Sequence, residues 1–166
     1  MAPETILVAV DGSDASLDAV SAGLALLSPD AHVVFVTVVE ASDPTLVTGA
    51  GMAGGVMSAD ELEQIDAAEV GGGHADVEAA RVTLGRDDSE SLVARGDAGP
   101  TLCDLAQERS AAAIVMGSRG RGGIKRALLG SVSDYVVRNA RCSVVGRASV
   151  SNRSCIKPRR SSSGPT

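Results

Sequence analysis

The sequence predicts an open five-stranded parallel α/β sheet with helices on both faces, and three observations carry that expectation. Five short apolar runs rich in branched residues lack strict polar alternation, which is how strands covered on both faces read. Between them lie segments whose apolar residues recur at helical spacing. Turn and capping residues mark the boundaries and keep most connections short. With 166 residues the chain has room for one domain with a sizeable core.

The first run is "TILVAV", Thr5 to Val10, and "DGSDAS" breaks it. Leu17, Val20, Leu24 and Leu27 then follow helical spacing, with Ser13 or Asp14 placed to cap the start and Ser28-Pro29-Asp30 to stop it. "HVVFVTVV", His32 to Val39, is the second strand and completes a right-handed βαβ unit. Residues 41–60 are rich in Gly, Ala and Ser without a period and read as a mobile loop. "ADELEQIDAAEV" is helical, with acids toward its start. Gly71 to Gly73 should break it before "HADVEAARVTL", because three glycines cost about 3 kcal/mol against alanine in a helix. "ESLVARG" is the third strand, and "GPTLCDLAQER" is a helix with Pro100 in its first turn. "AAAIVMG" is the fourth strand, and "SVSDYVVRNA" is a helix with Val132, Tyr135 and Val136 facing inward. "CSVVG" is the fifth strand. A folded domain over 1–148 and a disordered basic tail over 149–166 are expected.

Composition narrows the function. Aromatic residues make up 1% of the chain, so the core must be aliphatic and a base-stacking platform for single strands is excluded. A net charge of −6 argues against general nucleic-acid binding, which depends on neutralising phosphates. No apolar stretch reaches the length of a membrane span, and the N-terminus lacks the pattern of a secretory leader. Cys103, Cys142 and Cys155 form no metal-ligand or CxxC pattern, which points to reduced thiols and a cytoplasmic protein. His32 and His74 have no partner at metal or triad spacing, so neither a catalytic nor a metal role is assigned.

Against that acidic background, "MGSRGRGGIKRALLGS" (Met116 to Ser131) is glycine-rich and basic through Arg119, Arg121, Lys125 and Arg126. Ligands of open α/β sheets bind outside the carboxyl ends of the strands where the order reverses. With an order of 3-2-1-4-5, that point falls between strands one and four, so Asp11 and Gly117 become neighbours. Gly117 and Gly120 can take backbone angles closed to other residues and admit a ligand to the main chain. Gly130 and Ser131 open the last helix, whose first amides have no partner within the helix and whose dipole favours an anion. A P-loop is excluded because Lys125 is followed by Arg126, and a dinucleotide fingerprint is excluded because the first turn is "VDGSDAS".

Gly117, Gly120, Gly130 and Ser131 fit the pattern G-x2-G-x9-G-[S/T], and "ILVAVDGSDAS" accompanies it at the other end of the chain. On these residues the sequence resembles the ATP-binding members of the universal stress protein family, from Ala2 to about Val145 and weakly over 43–90. The resemblance implies a flavodoxin-like or Rossmann-like arrangement with ATP at the reversal point. It implies Asp11 on the ribose side, Val38 at the adenine, and Met116, Gly117, Gly120, Gly130, Ser131 and Val132 around ribose and phosphates. Mg2+ or Mn2+ could bridge the phosphates. It also implies a homodimer through the fifth strand, although Gly146 and Arg147 interrupt that run, and Ala112 or Ala113 stands where members carry Asp. The expected function is nucleotide-dependent regulation with little or no catalysis. The alternative is a slow ATPase or adenylyl-transferring enzyme, against which the first turn lacks SGGxDS.

Overall fold

The computed structural model describes residues 4–40, 59–118, 120 and 129–147. The elements are β1 (Thr5–Ala9), α1 (Asp14–Leu24), β2 (His32–Val39), α2 (Ala59–Thr83), β3 (Glu90–Arg95), α3 (Ala98–Glu108), β4 (Ala113–Gly117), α4 (Ser131–Asn139) and β5 (Ser143–Arg147). They form one parallel sheet in the order β3-β2-β1-β4-β5. The expected order is therefore present, and it reverses between β1 and β4.

The strands are apolar on both sides because each side is covered. Ile6, Val8 and Phe35 face α1 and α2, meeting Val20, Val77 and Ala80. Leu7, Val34 and Ile114 face α3 and α4, meeting Leu102, Ala106 and Val136. Phe35, Leu7, Ile114 and Val8 are fully buried. Burying each such side chain stabilises the fold by about 1.5–3 kcal/mol. The layer above β4 is thin at Gly23, where a Cβ would stand 2.5 Å from Val115 Cγ1, so α1 lies directly on the strand.

Two expectations are corrected. Gly71–Gly73 do not break the second helix, which runs unbroken through all three. Gly71 and Gly72 face open space, whereas a Cβ on Gly73 would lie 3.0 Å from both Val39 Cγ1 and Val93 Cγ1. Close docking on β2 and β3 thus outweighs the poor local propensity, with Val77 and Ala80 buried one and two turns on. An Arg95–Asp66 ion pair at 2.6 Å ties the end of β3 to the same helix. Tyr135 is not a core residue: it is 40% exposed, and its ring lies over Gly99 of α3, where a Cβ would be 2.8 Å from Cδ1. Most of the expected loop over 41–60, and the expected tail over 149–166, lie outside the described residues.

Candidate functional site

The first wall of the crevice is the turn after β1. Val10 N–H still bonds to the Val36 carbonyl at 2.9 Å, so the chain follows the sheet one residue beyond the strand. The Val10 carbonyl then accepts from buried Thr37 Oγ1 at 3.0 Å. Asp11 comes next and turns back on itself. Its Oδ1 accepts from Ser13 Oγ at 2.7 Å and from Ser13 N–H at 3.1 Å. Ser13 is also the N-cap of α1, accepting from Ser16 N–H at 3.2 Å. Gly12 between them has φ 75°, a left-handed conformation that favours glycine.

The second wall is the passage from β4 to α4. Met116 is buried in the core, and Gly117 ends the strand in extended conformation. The Ser118 carbonyl accepts from Gly130 N–H at 2.8 Å and from Ser133 Oγ at 2.8 Å. Gly130 is the N-cap of α4 and supplies no side-chain hydrogen bond to it. The first amides of α4, on Ser131, Val132 and Ser133, therefore stand at an uncapped helix start. Ser118 Oγ is buried and has no hydrogen-bond partner.

Gly120 joins the two walls. A Cβ placed there would be 2.8 Å from Asp11 Oδ2. A side chain at 120 would therefore press on this carboxylate. At 117 the strand needs no special angle, so the left-handed glycine of the crevice is Gly12, not Gly117. Val38 is half-buried near the end of β2 and packs on the same apolar cluster as Met116. The structure thus gathers Asp11 with Gly120, and Gly117 with Gly130, Ser131 and Val132, while Val38 borders them from the neighbouring strand. Arg119, Arg121, Lys125 and Arg126 lie outside the described residues.

Thr37, Ser118 and Ser133 were not among the residues expected from sequence. Their roles depend on partners across the fold, Val10 for Thr37 and Ser118 with Gly130 for Ser133, which no local sequence signal marks. A separate open depression of about 470 Å³ runs along α1, lined by Ala15, Asp18, Ser21, Ala22 and Arg147. Among the described residues no group of three or more His, Cys, Asp or Glu could hold a metal ion. Among them too, no helix is long and apolar enough to cross a membrane.

The chain matches the Universal stress protein family over residues 3–145. Universal stress protein YxiE of Bacillus subtilis is 28% identical over 143 residues, 84% of this chain and 95% of that protein. Universal stress protein Slr1101 of Synechocystis is 43% identical over 49 residues, 30% of this chain, and the match spans only 45% of Slr1101. Among solved structures, UspA from Lactobacillus plantarum aligns with a TM-score of 0.64 at 22% identity, over 86% of this chain and 96% of that one. A universal stress protein in complex with cAMP aligns with a TM-score of 0.56 at 26% identity, over 90% of this chain and all of the other. Since the family match runs from before β1 into β5, on a sheet of the expected order, the chain belongs to the universal stress protein family.

Proposed function

We propose that this protein binds ATP in the crevice between β1 and β4 and acts as a nucleotide-dependent regulator with little or no catalysis. The observation that carries this reading is the uncapped start of α4, held beside the end of β4 at the point where strand order reverses. Amides of that kind, backed by the helix dipole, suit a phosphate. Asp11 suits a ribose hydroxyl, Val38 offers apolar surface to a base, and Met116 lies with the glycines on the ribose and phosphate side. That a related universal stress protein was solved in complex with cAMP supports an adenine nucleotide as the ligand. Mg2+ or Mn2+ would bridge the phosphates, as such ions usually do with few protein ligands.

Hydrolysis needs a group that orients the attacking water. Asp11 Oδ1 already accepts two hydrogen bonds from Ser13, which holds that oxygen, though not Oδ2, to its own turn. The test is calorimetric titration with ATP beside measurement of ADP, AMP and pyrophosphate release over hours. One equivalent of ATP bound without steady release is the expected result. Steady turnover that depends on Asp11 would establish the enzyme reading instead. The same proposal includes a homodimer through β5, which is an edge of the sheet. Sedimentation at several concentrations tests it, and a monomer throughout would remove it.

A further inference from the structure

We propose that Ser133, which lies outside the glycine motif, is a positioning residue for phosphate recognition, a proposal that rests on the reading of the site above. Ser133 is the third residue of α4, and it is 4% exposed. Its hydroxyl donates to the Ser118 carbonyl at 2.8 Å, with the Gly130 carbonyl at 3.0 Å as a second acceptor. The Ser118 carbonyl also takes the Gly130 amide at 2.8 Å. A single carbonyl just past β4 therefore receives both the cap amide and the third-residue hydroxyl of the helix. Those two bonds fix the first turn of α4 against the strand.

The direction of the Ser133 bond is what matters. An ordinary Ser, Thr or Asp cap steadies a helix start by accepting from one of its free amides. Such a cap would consume a donor that an anion needs. Here the cap is glycine, and the steadying side chain sits three residues later and donates outward to the carbonyl just past β4. The helix is anchored without any of its own first amides being used. Removing the Ser133 hydroxyl loosens the amides of Ser131 and Val132 relative to Gly117. The penalty should then fall on the phosphate part of the ligand and leave the nucleoside part untouched.

Calorimetric titration of ATP, ADP and adenosine into wild type, Ser133→Ala and Ser133→Thr reads this directly. Ser133→Ala is expected to weaken ATP about ten-fold, ADP less, and adenosine not at all, while Ser133→Thr keeps the wild-type affinities. Should Ser133→Ala not fold, Ser133→Cys, whose thiol is a weak donor, takes its place and is expected to show the same gradient. Equal weakening of all three ligands, or none, overturns the inference while the binding reading stands. Wild type that binds neither ATP nor ADP overturns both.

Discussion

Asp11 and Gly120 come from opposite thirds of the chain, and a single methyl group decides whether they fit. Gly120→Ala places its Cβ 2.8 Å from Asp11 Oδ2, and Gly120→Val crowds it further. The Asp11 carboxylate or the backbone at 120 must then give way. Gly120→Val should lose ATP affinity by about ten-fold or more while the urea midpoint stays near wild type. A double-mutant cycle of Gly120→Ala with Asp11→Ala, read by ATP affinity, should be non-additive, because neighbours in contact do not sum. Additive values would mean that the carboxylate does not set the limit at 120. Ser13→Ala removes both the cap of α1 and the hydroxyl bond to Asp11 Oδ1, leaving the backbone bond in place, at a cost of about 1 kcal/mol for the cap alone. The thiols give a residue-scale pH effect. Burial pushes Cys103 up, helped by Asp104 and Cys142, and burial likewise pushes Cys142 up. Folding thus favours their protonated forms. That contribution is fully present below the ordinary thiol pKa of about 8.5 and is lost as pH rises through the raised values. Wild type should therefore lose urea stability more steeply than a Cys103→Ser, Cys142→Ser variant as pH rises from about 8.5 through the raised values.

Among the elements, α2 separates local preference from tertiary support most clearly. Gly71→Ala and Gly72→Ala add a methyl to open space and should each raise stability by about 1 kcal/mol. Gly73→Ala meets Val39 and Val93 at 3.0 Å, so crowding should cancel its gain; urea midpoints of the three variants check the contrast. That difference also explains what the sequence could reveal. The strands were legible because their apolar runs encode burial on both faces, and α1 was legible because its spacing and Ser13 cap are local signals. The continuity of α2 was not, since it depends on Gly73 fitting between two valines from different strands. Asp11 and the motif glycines were legible from their place between strand and helix. The Asp11–Gly120 contact and the Ser133 bond were hidden, because each is defined by its partner and not by its neighbours in sequence. Tyr135 was misread for a related reason: its ring covers the glycine at 99, a surface that exists only once α3 and α4 pack.

At the scale of the molecule, the crevice exists only when the first and last thirds of the chain share a sheet. A ligand that binds there binds the assembled state alone. ATP at one hundred times its dissociation constant should stabilise the fold by about 2.7 kcal/mol, visible as a rise in melting temperature that scales with ATP concentration. An unchanged melting temperature at saturating ATP would contradict the site. The strand order carries a cost during synthesis as well. β1 is central, paired with β2 on one side and β4 on the other, so it awaits a partner made much later. Until Ala113 to Gly117 arrive, the edge along Ile6, Leu7 and Val8 presents unsatisfied backbone next to fully apolar side chains. Such an edge templates foreign strands. Nascent or clipped chains ending before residue 113 should clump, and chaperones that shield sticky ribbons would have their busiest moment on this protein just before its fourth strand emerges.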